Sequence, residues 1–210
     1  MADNIVHVIG NGDNAVWFDN ASKGKKLVCN KPMVDVRNPY ATCIVDFKMM
    51  KALTEGSINL DGFTWILGYR PKIWMEKHPA FHMRHASHIK DFYTVLPKYA
   101  GKGGQGYTNL NCGHFATHYA ANKLKADTIH LYGFDCLFDF STRSMTDFAL
   151  QSDRGNNNTQ RLTDTWRHVF NGIFNEFKDT QFVLHHNHSN LKIPKTDNME
   201  IVVHSKKNKS

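Results

Sequence analysis

Asn111-Cys112-Gly113 opens a helical pattern that runs to about Lys123, and Thr128-Ile129-His130-Leu131-Tyr132-Gly133-Phe134-Asp135 follows it; this pair of segments decides the fold. Ala116, Tyr119, Ala120 and Lys123 recur at helical spacing on one side, which suits a helix lying on a sheet. Residues 128–132 form a short apolar run rich in strand formers, and Gly133 ends it at a polar tip, Asp135. Helix, strand and polar tip in that order make half of a βαβ unit.

The same grammar extends in both directions. Residues 5–9 are a β-branched run closed by Gly10-Asn11-Gly12-Asp13, with a turn of helix expected over residues 14–20 and a Lys-rich loop at 23–26. Short apolar runs at residues 27–29 and 43–47 meet polar residues Asn30 and Asp46, and residues 47–53 read as helix. Residues 63–67 and 72–75 are two further candidate strands, parted by Gly68-Tyr69-Arg70-Pro71. Pro79, Pro97 and the glycines between 101 and 106 break residues 78–106 into a short helix and a mobile segment. A polar insert is expected over residues 141–158, where Arg143 and Arg154, with Arg161 beyond, suit a clamp on a carboxylate or phosphate or else a plain surface loop. Leu162, Trp166, Val169, Phe170, Ile173, Phe174 and Phe177 stripe a second helix over residues 159–177, residues 181–184 read as the last interior strand, and residues 199–203 as an edge strand.

Alternating strands and helices with short links predict an α/β, Rossmann-like three-layer sandwich with a mostly parallel sheet, built as a single domain over residues 1–204 with a basic tail at 205–210. In such folds ligands bind at the carboxyl ends of the strands. Asn11, Asn30, Asp46, Asp135 and the loop after Leu184 are therefore expected along one edge of the sheet.

Composition narrows the class. The formal charge of +7 favours anionic ligands such as nucleotides, but Lys206, Lys207 and Lys209 in the tail supply part of it. No stretch approaches the roughly 18 apolar residues of a membrane-spanning helix, and the N-terminus lacks the basic start and apolar run of a signal peptide, so a cytoplasmic protein without a membrane span is expected. Cys29, Cys43, Cys112 and Cys136 contain no Cys-x-x-Cys pair and sit in apolar settings; they read as reduced core thiols.

Several residues can carry chemistry. Gly10-Asn11-Gly12 lets backbone approach a ligand closely, or is simply a turn; the third glycine of a dinucleotide fingerprint is missing. Asn109 and Asn111 stand before a helix whose free amides favour an anion, and either asparagine equally serves as the cap. His78, His82, His85 and His88 could share a face of an unbroken helix, but Pro79 and the adjacent basic residues make a lid over phosphates or a solvated helix the preferred reading, and no metal ligand is assigned. His185, His186 and His188 follow a strand that should end at the active edge, where an imidazole serves as acid or base. His188 is the favoured base, with His186 sharing its facing along an extended chain.

Taken in order, Val8-Ile9-Gly10-Asn11-Gly12, Val28-Cys29-Asn30-Lys31, the helix from Asn111-Cys112-Gly113 to Ala121, and Ile129 to Asp135 resemble the bacterial lipooligosaccharide sialyltransferases. They are also similar to the motility-associated-factor glycosyltransferases and the MptE-like 6-hydroxymethylpterin diphosphokinases, and His186 to Ile193 resembles that group's final Asn-x-Ser/Thr loop. The resemblance implies that Gly10, Asn11, Gly12, Asn30, Asn111, Gly113 and Gly133 line a nucleotide pocket, that Asp46 makes a polar nucleotide contact, and that Asp135 lies just past the strand supporting base and ribose. Asp13-Asn14 stands where the family has Pro-Ser, and no histidine lies between Asp139 and Trp166, where the sialyltransferases carry their base.

The expectation is a transferase moving a sugar from a nucleotide-activated donor of the CMP-sugar type, with His188, His186 and Asp135 in the catalytic roles. The small-molecule nucleotide is the expected partner, no motif specifies the acceptor, and a homo-oligomer is allowed. One alternative is ATP-dependent diphosphoryl transfer, which would need Mg²⁺ on Asp46 or Asp135. Another is a non-catalytic nucleotide or nucleic-acid binder.

Overall fold

Eight strands of three to six residues lie side by side in the order β5-β4-β3-β2-β1-β6-β7-β8, and every neighbouring pair is parallel. This computed structural model describes residues 3–139 and 156–205. The strands are β1 (Ile5–Ile9), β2 (Lys25–Cys29), β3 (Ala41–Ile44), β4 (Trp65–Leu67), β5 (Ile89–Phe92), β6 (Thr128–Tyr132), β7 (Gln181–His186) and β8 (Met199–Val203). The α-helices among the described residues are α1 (Phe47–Glu55), α2 (Tyr69–Lys77), α3 (Pro79–His85), α4 (Gly103–Asn109), α5 (Cys112–Asn122) and α6 (Asn156–Glu176). The chain winds outward from β1 to β5, returns through α4 and α5 to β6 beside β1, and winds outward again. The expected α/β three-layer sandwich is the architecture found.

Side-chain alternation distributes the core between the two faces. Val6, Val8, Leu27, Cys29, Ile129, Leu131, Phe182 and Leu184 pack against α5 and α6, whose contribution includes Phe115, Tyr119, Phe170 and Phe174. Ile44, Trp65 and Leu67 point the other way, into Met49, Met50, Leu53, Met75 and Phe81 of α1, α2 and α3. Burial on both faces is why these strands read as near-continuous apolar runs.

On the α1 side, β1, β6 and β7 interrupt their apolar runs with His7, His130 and His185, where the 3-10 turn Asp13–Trp17 and the chain after it pack instead of an α-helix. His130 Nδ1 is 2.9 Å from His185 Nε2, and His185 Nδ1 is 2.8 Å from His204 Nε2, while the His7 and His130 rings stack at 4.8 Å. Burial lowers the pKa of His130 to about 4 and that of His185 to about 3, and the neighbouring imidazoles push the same way.

Three local expectations change. Residues 72–75 belong to α2, not to a strand: Pro71 falls in the helix's first turn, where the missing N–H breaks no intrahelical bond. Residues 78–106 hold α3, β5 and α4; β5 lacks an apolar strand pattern because Lys90 and Asp91 make it polar, which suits an edge strand. His185 and His186 lie inside β7, which runs two residues longer than its apolar core. The expected insert at residues 141–158 falls largely outside the described residues, with Arg143 and Arg154, as do Lys206, Lys207 and Lys209 of the basic tail. Among the described residues no helix is long and apolar enough to cross a membrane.

Candidate functional site

The order of the strands places a topological switch between β1 and β6, the position where the carboxyl edge of a parallel sheet opens a ligand crevice. Here the loops after the two strands are zipped together. Gly10 N–H donates to Tyr132 O at 2.8 Å and Gly12 N–H to Gly133 O at 3.1 Å. A Cβ on Gly12 would stand 2.6 Å from both Gly133 O and Asp135 Oδ2, and Gly133 holds φ at +74°, so both positions require glycine. Asn14 completes the closure, its side-chain amide donating to Asp135 Oδ1 at 2.9 Å and its backbone N–H to Oδ2 at 3.4 Å. Burial raises the Asp135 pKa, and the Asn14 hydrogen bonds and the nearby His186 oppose that rise. The asparagine where the resembled family has serine is thus the residue that latches Asp135.

On the other side of β1 the asparagines gather as expected. Asn11 donates its amide to Cys29 O at 2.9 Å, while its Oδ1 is buried with no hydrogen-bond partner among the described residues. Asn30 ends β2 in the left-handed region at φ +54°, 5% exposed, and its Oδ1 accepts the Cys112 thiol at 3.2 Å. That bond joins the β2 tip to the start of α5. Asn111 is the cap of α5: its Oδ1 takes the His114 N–H at 2.9 Å, and His114 Nδ1 returns the favour to the Asn111 N–H at 3.0 Å. Histidine here does what glutamate does in the usual capping box. Gly113 lies against Phe134, which a Cβ would meet at 2.9 Å. Asp46 stands before α1 and pairs with Arg70 at 3.3 Å, both side chains about four-fifths buried.

Beyond Asp135 a third cluster forms. The 3-10 turn Asp135–Leu137 brings Asp139 one turn after Asp135, and Asp139 N–H donates to Asp135 O at 2.8 Å. Asp139 Oδ2 lies 3.1 Å from His186 Nε2 and Oδ1 lies 2.8 Å from His188 Nε2, while Asp135 Oδ1 is 3.8 Å from His186. Backbone amides settle the tautomers: His188 N–H donates to His186 Nδ1, and Asn190 N–H donates to His188 Nδ1, each at 3.2 Å. Both rings therefore carry their hydrogen on Nε2 and donate it to Asp139. Burial lowers the pKa of His186 although Asp135 pulls it upward, in keeping with a neutral ring that stacks on Phe138 at 4.0 Å.

The structure thus brings His186 and His188 to the edge that holds Asn11 and Asp135, and turns His185 to the opposite face. It changes their parts: with Nδ1 and Nε2 both engaged, neither imidazole offers a lone pair, and the carboxylate between them is the basic group. No motif in the sequence singles out Asp139. Its signal was the four-residue spacing from Asp135, legible only once a helical turn is known to follow β6. His85 and His88 sit at the amino ends of β4 and β5, away from this edge, so they form no lid over it.

A shallow cleft opens beside Asp46 and Arg70, lined among others by Val45, Gly68, Tyr69, Tyr93, Tyr107 and Phe115. It lies at the carboxyl ends of β3, β4 and β5, and the Tyr69 and Tyr107 rings stack there at 4.1 Å. No protein-family model, no curated protein and no solved structure matches this chain.

Proposed function

We propose that this protein is a nucleotide-binding transferase that moves a sugar from a nucleotide-activated donor, of the CMP-sugar type, to an acceptor hydroxyl. The observation that carries the reading is Asp139 held by two imidazole N–H groups on the same sheet edge as Asn11, Asn30 and Asp46. From β3 to β6 the edge spans three strand intervals, about 14 Å at ~4.8 Å each, a length that an extended nucleotide-sugar bridges.

In this reading the nucleotide lies over Asn11, Asn30 and Asp46, with the aromatic cleft beside it. The unpartnered Asn11 Oδ1 supports that placement, since a buried acceptor without a donor is costly and a ligand hydroxyl or amine would satisfy it. Asp139 takes the acceptor's proton as the donor's bond to phosphate breaks. His186 and His188 hold the carboxylate in place, and Asp135 holds the Gly12–Asn14 loop. In this placement the amides that open α5 stabilise the leaving phosphate as it gathers charge.

The test is a thermal-shift screen of the full chain against CMP, UDP, GDP and ATP, with and without Mg²⁺, followed by donor-consumption assays with CMP-sugars. Stabilisation by CMP without a metal requirement supports the reading. Stabilisation by ATP and Mg²⁺ alone favours diphosphoryl transfer, and no response to any nucleotide overturns both.

A further inference from the structure

Among the described residues, two groups bring three metal-ligating side chains together: Asp139 with His186 and His188, and Asp61 with His85 and His88. Their hydrogen bonds separate them. In the first group the backbone occupies both Nδ1 atoms, so each Nε2 keeps its hydrogen and has no lone pair for a cation. In the second group His85 Nδ1 faces His88 Nδ1 at 3.3 Å, so one of the two already presents a lone pair.

A tetrahedral cation with bonds of ~2.0 Å to nitrogen holds its ligands about 3.3 Å apart. The three ligand atoms of the second group all lie within 4.8 Å of one another, near enough for a modest closure around one ion. The imidazoles are also held from behind. The Trp65 ring lies 5.2 Å from each of them, and Phe81 lies 4.5 Å from His85. Ligands whose rings are already fixed by packing lose little freedom on binding.

We propose that Asp61, His85 and His88 form a binding site for a divalent transition metal of the zinc class, with water completing the coordination. Two imidazole nitrogens and one carboxylate favour such an ion over Mg²⁺ or Ca²⁺, which take oxygen ligands. Loading requires the hydrogen shared between the two Nδ1 atoms to move to an Nε2, leaving two neutral imidazoles and an ionised carboxylate as ligands. The metal clips the turn before β4, which carries Asp61, to the last residue of α3, His85, and to the turn that follows it before β5, which carries His88. It acts at the amino edge of the sheet and does not depend on the transferase reading.

The test is calorimetric titration of the full-length chain with zinc chloride, alongside thermal shifts with Zn²⁺, Mg²⁺ and Ca²⁺. The expected result is one zinc per chain, a raised Tm with Zn²⁺ alone, and affinity lowered at least about tenfold in His88→Gln and less in Asp61→Asn. His188→Gln is expected to leave zinc binding as it was. Undiminished affinity in His88→Gln, loss of affinity in His188→Gln, or equal stabilisation by Mg²⁺ would overturn the site. Should His88→Gln fail to fold, imidazole ¹⁵N resonances of the unaltered chain decide: zinc must shift those of His85 and His88, and a shift confined to His186 and His188 refutes the proposal.

Discussion

His188 Nε2 stands 2.8 Å from Asp139 Oδ1, and the other oxygen of the same carboxylate faces His186 Nε2 at 3.1 Å, so a single acidic group receives one imidazole N–H on each oxygen. Asp139→Asn puts an amide NH₂ against one of those N–H donors and removes the proton acceptor. Donor turnover is expected to fall by about 10²- to 10⁴-fold while nucleotide affinity stays within a few-fold, as measured by steady-state kinetics beside calorimetry. Turnover unaffected by this change would remove Asp139 from the mechanism. His188→Ala is expected to show a smaller loss, since His186 still holds the carboxylate.

Asn11 and Asn30 test the nucleotide side. Asn11→Ala removes a side chain that bonds Cys29 O and is expected to weaken CMP binding at least tenfold, with the fold retained. Asn30→Ala mixes two effects, because alanine in the left-handed region costs about 1–2 kcal/mol in addition to the lost thiol contact. Asn30→Gly keeps the backbone at ease and removes only the amide. Calorimetric affinity of the Gly variant equal to that of the parent would place the nucleotide elsewhere.

Asp135 and Gly12 form one packed unit, so both substitutions act on stability. Asp135→Ala strands the Asn14 amide in a buried setting, at a cost of about 1–3 kcal/mol. Gly12→Ala drives a methyl group against Gly133 O and Asp135 Oδ2, where overpacking costs about 1–3 kcal/mol. Urea denaturation measures both. The double variant is expected to cost less than the sum, because removing the Asp135 carboxylate relieves one of the two clashes.

Acid lability follows from His114. The ring is fully buried, accepts Asn111 N–H on Nδ1 and donates from Nε2 to Trp166 O at 2.9 Å; burial lowers its pKa to about 3 although the Trp166 bond opposes this. Above the unfolded pKa of ~6.5 the ring is neutral in both states and the fold keeps its full stability. As pH falls from about 6.5 towards 3, the unfolded chain binds a proton that the folded chain refuses, and stability declines by up to about 1.4 kcal/mol per pH unit for this residue. His130 and His185 add in the same direction. His114→Gln is expected to flatten the dependence, read from denaturation midpoints between pH 7 and 4.

The four thiols are expected to be inert in the folded protein. Cys29, Cys43, Cys112 and Cys136 are all buried, and burial raises each thiol's pKa, that of Cys136 to about 12, so little thiolate forms. Alkylation followed by mass spectrometry should label none of them in buffer and all of them in urea. Rapid labelling of Cys112 in the native state would show that the start of α5 opens.

Local pattern and chain order are enough to specify the architecture. The apolar runs ending at Gly10, Asn30, Asp46 and Gly133, with helical patterns after Asp46 and before residue 128, specify parallel strands whose polar tips share an edge, because side-chain period and crossover handedness leave few other arrangements. The part of the sheet that no α-helix covers is marked in the sequence too, since His7, His130 and His185 break their strands at positions facing away from α5 and α6. Which tips touch depends on how the folded layers meet. Asp139 becomes a centre because β7 lies beside β6 and carries His186 and His188 to it across 47 and 49 positions of chain. Likewise Asp61 meets His85 and His88 only because β4 and β5 are neighbours. A hydrogen bond or ligand set between distant segments depends on distances near 3 Å, and those are fixed by how the layers pack, which no local propensity encodes.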